Sequence, residues 1–350
     1  MLTVVIVHIK GIDMKAYIAA ISSYLPEDTL TNEDLVLEFP GWSVDKIFSK
    51  TGIHTRHICN ENQTISDMAV AAAENLISEH AVDKSCIDYV LLCTQSPDYF
   101  LPTTACLVQA RLGLSTSCGA LDFNLGCSGY VYGLSLAKGL IESGQANNIL
   151  LITSEAYSKY IAVGDKSVRT LFGDAATATL IKGKESNHDL IGPFVFGTDG
   201  NGSNNLIVPD GGSKKPITNA SSILSEDTSG NVRASKNLYM NGAEILMFTM
   251  KTVPSSVEAL LEKANLTKDD IDYVVFHQAN KFMLDKLRVK TGFSVERFLT
   301  SYEQYGNTVS STIPLGIKEA LSEKKFKTGD RVLLVGFGVG YSWAGTIIEW

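Results

Sequence analysis

Four short apolar runs punctuate the chain: "DYVLLCT" from Asp88, "ILLITS" from Ile149, "DYVVFH" from Asp272 and "RVLLVGF" from Arg331. Each is almost free of polar residues and is shorter than a buried helix. Such runs predict central strands covered on both faces. The segments between them have helical spacing. Tyr130, Leu134, Ala137 and Ile141 fall on one face of a helix that follows "NLGCSGY". This alternation predicts an α/β architecture, with helices on both sides of mostly parallel sheets.

The pattern repeats. "KSCIDYVLLC" (Lys84 to Cys93) and "KDDIDYVVFH" (Lys268 to His277) share K-x-x-I-D-Y-V at an offset of 184 residues. "NNILLIT" from Asn147 matches "DRVLLVG" from Asp330, 183 residues on. Between them, "GCSGYVYGLSLAKGLI" aligns with "GNTVSSTIPLGIKEAL", which pairs Cys127 with Asn307 at an offset of 180. Three matches in one order at nearly constant offset predict a duplication. Its halves are 14–185 and 186–350, dividing after "ATATLIKGKES". The polar, glycine-rich stretch Asp199 to Asn231 reads as a long surface excursion, either a solvated loop or a lid.

Residues 1–13, "MLTVVIVHIKGID", lack a basic leading region and a small-residue cleavage site, and are too short to span a bilayer. They are expected to be an N-terminal extension before a first core strand in "KAYIAAISSYLP". Hydrophobic residues at 45% against 19% charged describe a globular chain, and no segment predicts a membrane span. A net charge of −8 weighs against a nucleic-acid partner. The six cysteines (59, 86, 93, 106, 118 and 127) form no CxxC pair and no His/Cys cluster at metal spacing. Reduced thiols and a cytoplasmic location are expected, with no metal and no disulfide framework.

The repeat singles out candidate chemistry. Cys127 and Asn307 occupy equivalent helix starts, each preceded by glycine. Cys93 and His277 occupy equivalent ends of buried strands. If the halves pack about a pseudo-twofold axis, Cys127, His277 and Asn307 converge on one pocket. A cysteine at a helix start faces free backbone N–H groups and the positive end of the dipole. Both are expected to favour thiolate and to offer an oxyanion hole. The bland readings stand beside these: Cys127 as a small buried apolar residue, His277 as a core histidine, Asn307 as a helix N-cap. The terminal "VGFGVGYSWAG" from Val335 is a glycine-rich turn that brings backbone N–H groups to a ligand or simply reverses the chain.

"GCSGY", "HQAN", "YGNTVSSTIP" and "GFGVGYSWAG" occur here in the order found in the thiolase superfamily. The chain resembles β-ketoacyl-[acyl carrier protein] synthase III from about residue 15 to 350, with further matches at "TGIHTRHI", "LFGDAATA", "DGNGSNNL" and "MNGAEILMF". The resemblance implies a thiolase-like duplicated five-layer αβαβα fold, a homodimer and an acyl carrier protein as partner. It implies that Cys127 takes an acyl group from an acyl thioester, with the oxyanion held by the N–H groups of Cys127 and Val339. His277 and Asn307 would stabilise the enolate left when a malonyl thioester loses CO₂. No cofactor is implied beyond coenzyme A or carrier thioesters as substrates.

The resemblance places Lys46, Lys50, Leu101 and Phe337 in substrate-binding positions. Lys46 stands where coenzyme A-using members often have Trp, with Trp42 nearby. Lys50 replaces a common Arg, Leu101 a frequent Phe close to the partner subunit's acyl pocket, and Val339 the middle glycine of the terminal triplet. These departures leave the acyl donor open. Lys281, Lys286 and Arg288, with Lys290, form a cationic helix face suited to docking an acidic carrier protein, or an ordinary solvated face. A non-decarboxylating acyltransferase that moves an acyl group from Cys127 to an alcohol or amine is the alternative activity. An inactive partner subunit has no use for the thiol. No glutamate stands in an obvious general-base motif of the hydroxymethylglutaryl-CoA synthase kind.

Overall fold

The computed structural model describes residues 13–350. The N-terminal extension expected over 1–13 therefore lies, except for Asp13, outside the described residues.

Two five-stranded sheets carry the fold. The first contains β1 (Asp13–Tyr24), β2 (Tyr89–Cys93), β3 (Gly119–Phe123), β4 (Asn148–Glu155) and β5 (Ala175–Ser186), in the order β1-β5-β4-β2-β3. The second contains β6 (Ile191–Thr198), β7 (Tyr273–Phe276), β8 (Phe298–Leu299), β9 (Arg331–Gly338) and β10 (Ser342–Glu349), in the order β6-β10-β9-β7-β8. The two orders are the same topology used twice. The four apolar runs of the sequence are β2, β4, β7 and β9, four of the six inner strands of the two sheets.

The sheets are more mixed than the sequence predicted. In the first, β2 runs parallel to β3 and to β4, while β5 runs antiparallel to both β4 and β1. The second repeats this, with β7 parallel to β8 and β9 and with β10 antiparallel to β9 and β6. An unbroken apolar run records burial on both faces; it carries no information on strand direction.

Three apolar clusters separate the layers. The first lies outside sheet one, under α2 (Ile65–Glu79) and α3 (Thr104–Leu112). The second fills the space between the sheets. There α4 (Gly129–Glu142) contributes Tyr130, Leu134, Ala137 and Ile141, the stripe read from the sequence. Beside it α7 (Thr312–Ser322) contributes Ile313, Ile317 and Ala320. Pro314 is accommodated in the first turn of α7, where no N–H is needed for an intrahelical bond. The third cluster covers the outer face of sheet two under α5 (Gly242–Ala264) and α6 (Lys281–Thr291). The result is α, β, α, β, α in five layers, with α4 and α7 as the paired central helices.

Candidate active site

Cys127 sits two residues before α4, in a turn closed by Gly129 N–H donating to Gly126 O at 2.8 Å. It is buried, at 4% exposure. Strand β9 presses directly on this turn. A Cβ added at Gly338 would lie 3.0 Å from Cys127 Sγ and 3.1 Å from its Cβ; one added at Gly336 would lie 2.6 Å from Cys127 O. Only a strand without side chains at these two positions can approach so closely.

The thiol does not behave as the sequence led us to expect. Burial, followed by the charge of Glu155, pushes its pKa up; the Cys127 N–H pulls it down only in part. Desolvation of a thiolate outweighs a helix terminus because the enclosed sulfur loses most of its hydration. Cys127 therefore needs a proton acceptor.

His277 follows β7, whose end is tied to β9 by His277 N–H donating to Val335 O at 2.8 Å. Its ring meets Phe337 edge-on, with centroids 5.4 Å apart. Its Nδ1 lies 2.8 Å from Thr312 Oγ1, at the start of α7. Burial pushes its pKa down to about 3, so the imidazole is neutral. Phe337, assigned to substrate binding from the resemblance, is 1% exposed. It backs the histidine ring and offers a ligand almost no surface. The end of β9 thus reaches both groups, with Phe337 against His277 and Gly338 against Cys127.

Asn307 is held by its backbone: its N–H donates to Leu171 O at 2.9 Å and its O accepts from Gly173 N–H at 3.1 Å. Its Oδ1 accepts from Val309 N–H at 3.0 Å, which orients the amide and leaves the Nδ2 hydrogens for another partner. Asn307 thus forms an Asx turn leading into the short helix Val309–Ser311; the N-cap position of that helix is Thr308, not Asn307 as the bland reading had it. Three residues on, Ser310 Oγ lies 2.8 Å from Glu155 Oε1.

Glu155 closes strand β4 and is fully buried. Its second oxygen accepts from Gln95 N–H at 3.0 Å. Burial pushes the carboxyl up to about 8, and its charge acts on Cys127, Cys93 and Tyr157. Sequence reasoning passed over Glu155, Ser310 and Thr312. The available signal was a single acidic residue ending the unbroken run "ILLITSE" and a hydroxyl two residues before Pro314.

The other candidates are dispersed. Val339 touches Gly126 and lines a cavity of about 380 Å³ with Gln95, Asn124, Tyr157, Leu206 and Leu238. An adjoining space of about 800 Å³ shares Gln95, Asn124, Tyr160 and Val208 with it, and extends to Tyr99 and Ile217. Leu206 to Ile217 belong to the long excursion, so part of that segment walls these spaces. Leu101 is 83% exposed and lines neither space. Lys46 and Lys50, on α1 (Val44–Thr51), hold their Nζ atoms 5.0 and 4.9 Å from the ring centre of Trp42.

On α6 the basic face is largely engaged within the chain. Lys281 pairs with Asp285 at 2.8 Å, Arg288 donates to Phe293 O at 3.4 Å, and Lys290 donates to Met250 O at 2.6 Å. Lys286 instead caps the half-exposed Phe282 ring at 4.7 Å. Among the described residues, no group of three His, Cys, Asp or Glu side chains is placed to hold a metal ion. Nor is any helix there long and apolar enough to cross a membrane.

The chain is similar to known proteins over almost its whole length. Residues 121–200 match the model for 3-oxoacyl-[acyl-carrier-protein (ACP)] synthase III, and residues 261–350 match its C-terminal model. The chain is 39% identical to β-ketoacyl-[acyl-carrier-protein] synthase III 2 of Bacillus subtilis, over 96% of this chain and 99% of that protein. It is 37% identical to the protein of the same name from Halalkalibacterium halodurans, over 96% and 97%. A crystal structure of 3-oxoacyl-(acyl-carrier-protein) synthase III superposes with a TM-score of 0.95 at 50% identity, covering 96% of this chain and all of that one. The 3-oxoacyl-(acyl-carrier protein) synthase of Burkholderia xenovorans superposes at 0.87 with 38% identity, over 96% and 94%.

Proposed function

Because the chain belongs to the β-ketoacyl-[acyl carrier protein] synthase III family, we propose that it condenses an acyl thioester with malonyl-[acyl carrier protein], with Cys127, His277 and Asn307 as its catalytic residues. The condensation is decarboxylating and gives a 3-oxoacyl thioester. The observation that supports Cys127 and His277 is the end of β9, where Gly338 abuts the Cys127 sulfur and Phe337 backs the His277 ring; Asn307 rests on the family motif and its free Nδ2.

In the first half-reaction Cys127 Sγ attacks the acyl thioester carbonyl and its proton passes to the neutral His277. The oxyanion is held by the N–H groups of Cys127 and Val339, and the departing thiolate leaves with that proton. In the second, a malonyl thioester binds with its carbonyl oxygen on His277 and on Asn307 Nδ2. Loss of CO₂ leaves an enolate on that oxygen. The enolate carbon attacks the acyl carbonyl, the C–S bond to Cys127 breaks, the Cys127 thiolate takes a proton from water, and the 3-oxoacyl product departs. Charge builds on carbonyl oxygens in both steps, so fixed donors lower both barriers. No metal or bound cofactor enters the sequence; coenzyme A and carrier thioesters are substrates.

The chain works as a cytoplasmic homodimer in this reading. Its six cysteines are free, which suits a reducing compartment. Tyr99, Phe100 and Leu101 form an exposed apolar run that a second copy would cover. Light scattering at working concentration tests this, and a monomer mass refutes it.

The reaction is tested with a panel of acyl-CoA and acyl-carrier thioesters, followed by intact mass of the protein and by CO₂ release from malonyl carrier. A competent donor adds one acyl mass, removable by hydroxylamine and absent in Cys127→Ala. Addition of malonyl carrier then releases CO₂ and a 3-oxoacyl product. Acylation at another cysteine overturns the assignment. Acylation at Cys127 without decarboxylation of any malonyl thioester identifies a simple acyltransferase instead.

A further inference from the structure

His277 must play two incompatible parts in the reaction proposed above. To accept the Cys127 proton, a neutral imidazole needs a bare Nε2, and hence a proton on Nδ1. To donate to the enolate oxygen, it needs the proton on Nε2, and hence a bare Nδ1. In a buried neutral imidazole, the partner of the other nitrogen decides which form is held.

That partner is Thr312. Its Oγ1 lies 2.8 Å from His277 Nδ1 and 3.0 Å from Val309 O. Both side chains are buried, at 2% exposure each, so solvent does not replace the contact. One hydroxyl hydrogen therefore has two acceptors in reach. When it points to Val309 O, the oxygen lone pair receives Nδ1–H and Nε2 is bare. When it turns to Nδ1, Nε2 carries the proton. The second arrangement leaves no buried carbonyl unpaired, because Val309 O also accepts the backbone N–H of Thr312. The turn thus costs one neutral hydrogen bond and returns another.

We propose that Thr312 is a positioning residue that holds His277 in either tautomer, its hydroxyl turning to match the ring proton, so that the histidine serves as proton acceptor in the first half-reaction and as hydrogen-bond donor in the second. This rests on the catalytic role of His277 given above. The proton balance is simple. His277 takes the Cys127 proton on Nε2 and passes it to the departing thiolate, ending neutral with Nδ1–H. The exchange then needs a brief opening of the Thr312 contact after the thiol product leaves, in which one water takes the Nδ1 proton and another supplies a proton to Nε2. Net charge is unchanged and no other reagent is consumed.

Nuclear magnetic resonance of ¹⁵N-histidine-labelled protein reads the tautomer directly. The unacylated wild type is expected to show Nδ1–H, and the acyl-enzyme holding a malonyl analogue that cannot lose CO₂ is expected to show Nε2–H. Thr312→Val keeps the shape and removes the hydroxyl; it should lose the distinction and slow CO₂ release by about 10-fold, the scale of one hydrogen bond. Thr312→Ser keeps the hydroxyl and should restore both readouts to within about threefold of wild type. A wild-type His277 that shows the same tautomer in both states overturns the proposal, as does Thr312→Ser impaired as deeply as Thr312→Val, which would mark a packing role. The spectrum of the unacylated protein does not depend on turnover. Failure of Cys127 to acylate would therefore sink the proposed function without altering the tautomer measured for the free enzyme.

Discussion

Ser310 Oγ lies 2.8 Å from Glu155 Oε1. The contact joins the last residue of a strand in sheet one to the turn that carries Asn307 and leads into Thr312, 155 residues along the chain. It puts a buried carboxyl whose charge acts on Cys127 at this contact, and ties the turn that carries Asn307 to both sheets.

That carboxyl sets a pH dependence of stability. Its pKa is pushed up to about 8 by burial, from an ordinary value of 4.5. A raised carboxyl favours the folded state while protonated, so its contribution is fully present below about 4.5 and is lost as pH rises through 8. Full ionisation in the folded state costs on the order of 5 kcal/mol. Glu155→Gln mimics the protonated acid, accepting from Gln95 N–H and donating to Ser310 Oγ. Urea unfolding at pH 5.5 and 8.5 should show a fall for the wild type and a smaller one for Glu155→Gln. Parallel pH profiles would refute the linkage.

The raised Cys127 thiol governs its reaction with simple reagents. Its pKa is pushed above the ordinary thiol range, so thiolate remains scarce at neutral pH. Iodoacetamide modification of Cys127, followed by peptide mass, should accelerate steadily from pH 7 to 9 without a plateau. A plateau below pH 7.5 would mean that the helix start wins over burial after all.

Gly338 should tolerate no side chain. The Cβ of Gly338→Ala would sit 3.0 Å from the Cys127 sulfur, and the sulfur would have to move. The sulfur needs to give by only a few tenths of an ångström, so acylation is expected to fall about 10-fold, less than the ~100-fold of a 1 Å displacement, while the melting temperature changes by only a few degrees. Wild-type acylation in this variant would show that the sulfur has room that the packing denies.

Asn307→Ala should spare the first half-reaction, whereas His277→Ala should slow both, because His277 also accepts the Cys127 proton. Each is expected to lose CO₂ release by about 10²–10³-fold. The double variant should lose less than the product of the two, because both donors serve one oxygen. Normal CO₂ release from both single variants would eliminate the enolate role.

For the expected carrier docking on α6, Lys286 is the cation to test. Lys281 and Arg288 are already engaged by Asp285 and by Phe293 O, whereas Lys286 lies over an exposed ring. Lys286→Glu should reduce turnover of malonyl carrier about 10-fold and flatten its salt dependence, with turnover of a malonyl-pantetheine thioester unchanged. Equal loss with both substrates would move the docking site elsewhere.

The sequence by itself determined which segments are buried and where the chain repeats, because apolar runs and helical stripes are local records of contact with the core. "DYVLLCT" and "DYVVFH" were legible as strands, and Cys127, His277 and Asn307 were legible as candidates through the repeat and the family motifs. What a buried group does there was decided by the tertiary structure. The Cys127 thiol is raised rather than lowered because the sulfur is enclosed, and enclosure comes from β9, some two hundred residues away. Glu155, Ser310 and Thr312 carry no pattern of their own; they acquire meaning from contacts that the fold makes between strand ends and helix starts. Strand direction was likewise settled only by packing, since an apolar run is equally well buried whichever way its neighbour points.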